Sequence, residues 1–349
     1  MRRRSLLTSA LMAPSLLTTA LLTPALLTPA LLPTVAAAQD FAERPLTLVT
    51  GYAPGGSTDI AARLLADRLA AHLGTGVRVV VENRSGAAGA VASEWLRRQP
   101  ADGFTLMVAE TGSHAIAPNA LIGWNRYDPV ADFTHLGIIG IPPLILVTNN
   151  RFLGTSPGAT AAEVVQALRA APPDSITYAT SGVGGVLHLA SEMLALQLGT
   201  RFVHVPYRSG AQMLQAIHTG EAQFGIAALA SANAMVREGM VRGIAVTGRR
   251  RFPTYPAVPT LVESGVPDFD FDTWFVLVAP PGMPAGTAGA INRALVAALA
   301  EDPLRDRLMA AGHDAFRGPN GLAEARGFAQ AEVAKYREVV ARTGVRLSP

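Results

Sequence analysis

The sequence has 349 residues, of which 49% are hydrophobic and 16% are charged, and it contains no cysteine. This composition indicates a folded chain with room for two domains, and it excludes disulfides, thiolate metal sites and a thiol nucleophile. The formal net charge of +3 arises from Arg2, Arg3 and Arg4, which precede the first acidic residue, Asp40. The remaining charges balance, and no basic run alternates with aromatic residues, so nucleic-acid binding is not expected.

The first 38 residues have the order of a secretory signal peptide. The three arginines precede an apolar stretch with a repeated Leu-Leu-Thr-Pro-Ala, and three alanines end at Ala38. A membrane-spanning helix is disfavoured because four prolines would interrupt it, namely Pro14, Pro24, Pro29 and Pro33. We therefore expect cleavage near Ala38 and export of the mature chain. The general secretory route and the twin-arginine route both remain open.

From residue 44 onward, short apolar segments alternate with amphipathic ones. The pattern predicts strands at 46–50, 77–81 and 105–108, with helices at 58–72 and 91–98 between them. A strand-helix-strand-helix-strand order is typical of a parallel sheet covered by helices.

A second series follows the corner formed by Pro142 and Pro143. Its predicted strands are 144–148, 176–179, 202–205, 224–229 and 244–247, and its helices are 161–169, 186–198, 211–219 and 232–238. A connection rich in proline and glycine at 252–267 leads to a strand at 273–278 and to helices at 288–299, 303–310 and 322–343.

The two series predict an α/β fold with two parallel-sheet domains. We expect domain 1 to comprise 39–143 and 275–349, and domain 2 to comprise 144–274. The segments at 144–148 and 273–278 are expected to be hinge strands that cross between the lobes. A cleft between two lobes is a common place for a ligand.

Three turns between a predicted strand and the following helix combine glycine with polar residues. They are GGSTD at 55–59, TSGVGG at 180–185 and YRSG at 207–210. Glycine lets the backbone approach a ligand closely, and the N–H groups at a helix start attract an anion. Any one of these turns could equally be a tight connection that binds nothing. Their presence in both series favours a single ligand held from two sides.

Motifs for cofactors and catalysis are incomplete. The run from Gly182 to Gly185 lacks the third glycine of a dinucleotide-binding motif, and Lys335 is the only lysine, so no phosphate-binding P-loop exists. The segment at 154–158 matches the nucleophile elbow G-x-S-x-G, but Pro157 has no N–H for an oxyanion hole. No catalytic residue, cofactor or metal site is therefore predicted.

The histidines and aspartates outside these turns are not expected to form a functional site. His114 follows the third strand, where we expect it to face solvent more readily than the cleft. His188 is expected to be structural. Asp268, Asp270 and Asp272 lack the glycine and the final glutamate of an EF-hand loop, so we predict an edge strand that enters the hinge.

Six segments, in order, resemble the Bug family, the solute-binding proteins of tripartite tricarboxylate transporters. They are YAPGGSTD at 52–59, VENRSGAAG at 81–89, PADGFTL at 100–106, YATSGVGG with HLA at 178–190, VPYRSG at 205–210, and Trp274 with APPGMP at 279–284. The match as a whole covers nearly all of the chain after the predicted signal peptide.

The resemblance implies a two-lobed periplasmic-binding-protein fold, type II like, that closes on a small carboxylate. It implies a monomer in the periplasm that works with membrane permease subunits or a sensor. In the family, backbone amides and hydroxyls of one loop from each lobe hold the carboxylate, partly through water. The corresponding residues here are Gly55, Gly56, Ser57, Thr58 and Asp59, and then Ser181, Gly182 and Gly184.

Three aromatic residues, Tyr52, Tyr207 and Trp274, are expected to pack against the body of the ligand. Ala227 and Ala228 stand where family members often carry a polar pair, which disfavours an amino acid and favours a di- or tricarboxylate or an apolar monocarboxylate. The alternative is an exported hydrolase that uses an unrecognised serine such as Ser57 or Ser181.

Overall fold

A computed structural model describes residues 40–124, 126–150, 152, 158–344 and 346. The predicted signal peptide and most of the G-x-S-x-G segment lie outside these described residues. Strands and helices alternate in the first part of the chain. This part comprises β1 (Leu46–Thr50), α1 (Ser57–Leu73), β2 (Val79–Asn83), a short 3-10 turn (Ala87–Gly89), α2 (Ala90–Leu96), β3 (Thr105–Glu110), a π-helical turn (Gly112–Ile116), α3 (Ala117–Ala120) and β4 (Thr134–Gly140).

The second part repeats this alternation and then returns to the first. It comprises β5 (Leu144–Thr148), α4 (Ala161–Ala170), β6 (Thr177–Thr180), α5 (Val186–Leu198), β7 (Val203–Pro206), α6 (Gly210–Thr219), β8 (Phe224–Ala228), α7 (Leu229–Arg237) and β9 (Arg242–Val246). A long segment of turns and irregular backbone leads to β10 (Phe275–Ala279), α8 (Ala285–Ala300), α9 (Asp302–Ala310) and α10 (Leu322–Thr343).

The strands form two five-stranded sheets, ordered β2-β1-β3-β10-β4 and β7-β6-β8-β5-β9. Each sheet is mixed rather than wholly parallel, because β10 and β5 run antiparallel to both of their neighbours. These two strands arrive directly from the other sheet instead of through a helical crossover, and only a parallel pair requires such a crossover.

The chain passes from the first sheet to the second within 141–143, and it returns before β10 begins at Phe275. The predicted crossings therefore coincide with central strands, and every residue of β5 and β10 is buried. Contacts group the chain from Ala38 onward into one unit, so the predicted division into 39–143 with 275–349 and 144–274 stays a prediction.

The described structure differs from the sequence pattern in two strands, one that was not predicted and one that was predicted but did not form. The sequence pattern did not predict β4, which contains two glycines. A Cβ built on one of them, Gly137, would lie 2.5 Å from Leu295 of α8, so close packing explains the glycine. The three aspartates from Asp268 to Asp272 do not form the predicted edge strand, and the backbone at 269–274 is irregular.

The C-terminal helix α10 packs over the end of the first sheet. The phenolic oxygen of Tyr336 donates to the main-chain oxygen of Asp272 at 3.0 Å, and this binds α10 to the return segment. The outer face of the first sheet packs against α1, α8 and α9. Among the described residues, no helix combines the length and hydrophobicity that a membrane span requires.

Candidate functional site

A cavity lies where strands from both sheets end, and it has about 70 Å³ of space for water-sized molecules. Residues after β1, β6 and β7 line it, together with the ends of β3 and β8 and the starts of β5 and β10. From the first sheet side these are Tyr52, Ala53, Gly56, Ser57, Thr58, Ala88, Glu110, Thr273 and Phe275. From the second they are Leu144, Ser181, Gly182, Gly185, Val186, Leu187, Arg208, Ser209, Gly210, Met213, Leu214, Ala227, Ala228 and Ser231.

Four helices point their N-termini at this cavity. The lining includes the residues that precede them, namely Gly56 before α1, Gly185 before α5, Ser209 before α6 and Ala228 before α7. Of these, only Ser209 accepts a side-chain capping hydrogen bond. A helix N-terminus carries a partial positive charge and unpaired N–H groups, so the cavity favours an anion.

Ser57, the first residue of α1, has a buried hydroxyl oxygen with no hydrogen-bond partner among the described residues. Leaving a buried hydroxyl unpaired is costly, and a ligand in the cavity would be a suitable partner for this oxygen. Thr58, the next residue, is buried and also lines the cavity. The structure thus brings the predicted residues Gly56, Ser57 and Thr58 together at one wall.

Asp59 and Gly55 lie behind this wall and do not line the cavity, although the sequence predicted both as ligand contacts. The carboxylate of Asp59 accepts from the Gly55 amide and from Asn83, each at 2.9 Å, and pairs with Arg63 at 2.9 Å. Burial opposes its charge, but hydrogen bonds from Arg63, Gly55 and Asn83 hold the pKa of Asp59 below its ordinary value. Asp59 therefore fixes the turn while its neighbours line the cavity.

The opposite wall comes from the loop after β6. Ser181 and Gly182 line the cavity, as the sequence predicted, whereas Gly184 does not. The amide of Gly184 donates to Nδ1 of His188 at 3.3 Å, and a Cβ on Gly184 would lie 2.9 Å from Leu121. These contacts give Gly184 a packing role in the loop, and its contact with a ligand stays a prediction.

Two charged residues that were not predicted as ligand contacts also line the cavity. Arg208 is exposed and is the only cation among the described lining residues. Glu110 is only 4% exposed, and it accepts from the Tyr52 hydroxyl at 2.6 Å and from the Ser113 amide at 3.2 Å. Burial raises the pKa of Glu110 above its ordinary value despite these hydrogen bonds. The sequence signal for Glu110 was an acid at the end of an apolar strand.

The three aromatic residues that were predicted to contact the ligand lie in three different places. Tyr52 lines the cavity, whereas Tyr207 lines an adjoining groove that shares Ser181 and Gly182 with it. Trp274 is 2% exposed and faces α10. Its indole N–H donates to Glu332 at 2.9 Å, and its ring lies edge-on to Phe328. The prediction that Trp274 contacts the ligand therefore has no support from its position.

His114 is also not where the sequence placed it. It is 1% exposed, its Nδ1 lies 2.9 Å from the Ser113 hydroxyl, and its ring packs against Phe133. Burial lowers the pKa of His114 to about 3, so the ring is neutral at ordinary pH. Within the described part of the chain, no group of three or more histidine, aspartate or glutamate side chains could hold a metal ion.

The family model for the tripartite tricarboxylate transporter family receptor, TctC, matches residues 61–345. The chain belongs to this family. Protein BugT of Bordetella pertussis is 29% identical over 312 residues, which cover 89% of this chain and 93% of BugT. The resemblance to Bug proteins that six sequence segments suggested is thus confirmed.

Solved structures confirm the two-lobed fold of periplasmic binding proteins. R. palustris Rpa4515, solved with adipate, is 30% identical with a TM-score of 0.81, covering 89% of this chain and 100% of that one. The periplasmic binding protein BugD is 26% identical with a TM-score of 0.80, covering 88% and 99%. MatC from Rhodopseudomonas palustris, solved with bound malate, is 29% identical with a TM-score of 0.76, covering 85% and 99%.

Proposed function

We propose that this protein is an exported receptor that captures a small carboxylate between two lobes and releases it to a membrane permease. The observation that carries the proposal is the convergence of four helix N-termini, from α1, α5, α6 and α7, on one cavity. Of these four helices, only α1 begins beside the first sheet, and the others begin beside the second. An anion bound where the four N-termini meet would therefore connect the two sheets. The ligand would act by shifting an equilibrium between open and closed lobes.

The lining also supports a class of carboxylate. Val186, Leu187, Met213, Leu214 and Phe275 provide an apolar surface beside the helix N-termini. This combination suits a short aliphatic di- or tricarboxylate or an apolar monocarboxylate, because the body of the ligand loses contact with water while its charge meets N–H donors. The adipate and malate of the two related structures belong to this class.

Binding without catalysis is the function that the side chains support. The hydrolase alternative requires a base beside Ser57 or Ser181, and neither hydroxyl contacts a histidine among the described residues. Neither Ser57 nor Ser181 therefore has a histidine base among the described residues, and a bound carboxylate is expected to be released unchanged.

The cellular setting follows from the leader and the family. We propose cleavage near Ala38, release of a monomer into the periplasm, and delivery of the ligand to the permease subunits of a tripartite transporter or to a sensor. N-terminal sequencing of the exported protein should find a start at Gln39 or within a few residues of it. Recovery of exported protein that retains Arg2 would contradict the cleavage.

A thermal-shift screen of the mature protein tests the binding proposal. Adipate, malate, succinate, citrate and butyrate would each be added, with the matching uncharged amides as controls. A ligand at about 100 times its Kd stabilises the folded state by about 2.7 kcal/mol, so a true ligand should raise Tm by several degrees. Chromatography of the ligand recovered after incubation should show it unchanged. Failure of every carboxylate to shift Tm would contradict the proposal.

A further inference from the structure

Glu110 and Tyr52 form a corner of the cavity that presents hydrogen-bond acceptors, whereas the helix N-termini present donors. Glu110 is the only acid among the described lining residues, and no ion pair joins it to a described cation. The Tyr52 hydroxyl donates its single proton to Glu110 Oε1 at 2.6 Å. Burial and the neighbouring Glu110 raise the pKa of Tyr52 well above its ordinary value, so the phenol keeps that proton. The phenolic oxygen therefore turns only lone pairs toward other partners.

The protein fixes this corner closely. The Ser113 amide donates to Glu110 Oε1, and a Cβ on Gly112 would lie 2.5 Å from the same oxygen and 3.0 Å from the Tyr52 hydroxyl. Only glycine fits at position 112 while the Glu110 carboxyl and the Tyr52 phenol keep these positions. The donors that converge on Oε1 favour the carboxylate form, which accepts hydrogen bonds and donates none, whereas burial leaves the pKa of Glu110 above its ordinary value.

The corner lies directly beside a helix N-terminus from the other sheet. A Cβ built on Gly185, which precedes α5, would lie 3.7 Å from the Tyr52 hydroxyl oxygen. A ligand carboxylate at the start of α5 would therefore place its neighbouring carbon next to Glu110 and Tyr52. A hydroxyl or ammonium group on that carbon would find acceptors, and a second carboxylate there would meet the Glu110 charge.

Resting on the proposed function, we propose that Glu110, with Tyr52, selects carboxylates that carry a hydrogen-bond donor, hydroxyl or ammonium, on the carbon next to the carboxylate. This modifies the expectation drawn from Ala227 and Ala228, which disfavoured an amino acid because the second lobe lacks a polar pair. Glu110 provides an acceptor from the first lobe instead.

Calorimetric titration of the wild-type mature protein at pH 7.5 tests the preference directly. One series is butyrate, 2-hydroxybutyrate and 3-hydroxybutyrate, and the other is succinate, malate and aspartate. We expect the 2-substituted members to bind at least about tenfold more tightly than the unsubstituted ones, which corresponds to about 1.4 kcal/mol. Comparing malate with aspartate shows whether the site prefers a hydroxyl or an ammonium group on the carbon next to the carboxylate. Equal or tighter binding of butyrate and succinate would overturn the proposal.

Glu110→Gln then assigns the preference to this residue, because glutamine keeps the size but removes the charge. It should abolish the advantage that the 2-substituted ligands have over butyrate and succinate. Glu82→Gln is the matched control, since Glu82 lies on β2, does not line the cavity and pairs with Arg84. An equal loss for every ligand in Glu110→Gln would make Glu110 structural and overturn the assignment.

The wild-type comparison needs no variant, so it decides the matter even if Glu110→Gln does not fold. If wild type binds none of the six compounds and no carboxylate of the thermal-shift screen, the proposed function itself fails. That outcome is distinct from binding without the preference.

Discussion

Replacing Ser57 with alanine should weaken ligand binding without lowering the stability of the ligand-free protein. Its hydroxyl oxygen is buried, lines the cavity and has no partner among the described residues. A bound carboxylate would provide that partner. Losing one hydrogen bond to a charged group costs roughly 1.5–3 kcal/mol, which corresponds to about ten- to a hundredfold in Kd.

The ligand-free protein should respond in the opposite direction. An unpaired buried hydroxyl costs free energy, and alanine is a better helix former than serine, so the free energy of unfolding should stay equal or rise slightly. This separates Ser57 from a residue that merely supports the fold, whose removal would lower stability and affinity together.

Thr160→Ala is the matched control at another helix start. Thr160 precedes α4 and does not line the cavity, and its hydroxyl accepts from the Glu163 amide at 3.2 Å while Glu163 accepts from the Thr160 amide at 2.7 Å. Breaking this capping box should cost about 1 kcal/mol of stability and leave Kd unchanged.

The assay combines calorimetric titration of a carboxylate found by the screen with urea denaturation of both variants. The expected pattern is a loss of affinity alone in Ser57→Ala and a loss of stability alone in Thr160→Ala. If Ser57→Ala binds within twofold of wild type, the hydroxyl does not contact the ligand, and the reasoning from its unpaired oxygen is refuted.

Three further predictions concern other residues. Trp274→Phe should leave Kd within about twofold but lower the free energy of unfolding by roughly 1–3 kcal/mol, because Glu332 loses its indole donor; titration and urea denaturation check this. Arg208→Gln should weaken binding by no more than about fivefold, since an exposed ion pair contributes up to about 1 kcal/mol, and the loss should disappear in titrations at high salt. Burial, and then Asp270, raises the pKa of Asp272 to about 7, so the folded protein keeps this proton until the pH rises through about 7, whereas the unfolded chain loses it near about pH 4. The stability that the proton contributes is therefore complete below about pH 4 and is lost as the pH rises through about 7. Asp272→Asn should therefore exceed wild type in stability at pH 8, by at most about 4 kcal/mol, and Tm measured from pH 4.5 to 8 should show that gap shrinking toward acid pH.

Elements with strong periodicity were predictable from the sequence. Helix α10 occupies 322–343 as predicted, and β1 occupies 46–50. By contrast, β4 was missed because Gly137 and Gly140 weaken its local strand signal. A Cβ on Gly140 would lie 2.4 Å from the main-chain oxygen of Asp314, which is a tertiary contact that no local pattern contains.

The candidate site was predictable to the level of turns but not of individual side chains. All three predicted turns contribute lining residues, yet Gly55, Asp59 and Gly184 support the turns from behind. The position of Trp274 depends on tertiary packing that no local pattern contains. Its neighbours Thr273 and Phe275 line the cavity, whereas its indole N–H donates to Glu332 of α10.

The chemistry of the lining explains why sequence signals for function were diffuse. Backbone amides at the starts of α1 and α5 would bind a carboxylate whatever the side chains are, so the turns at Gly56 and Gly185 need no catalytic motif. Selectivity must then come from the few polar side chains that reach the cavity. Glu110 is the only acid among the described lining residues, and its buried carboxyl accepts hydrogen bonds from Tyr52 and Ser113, so a ligand group that donates would fit beside it better than a second carboxylate.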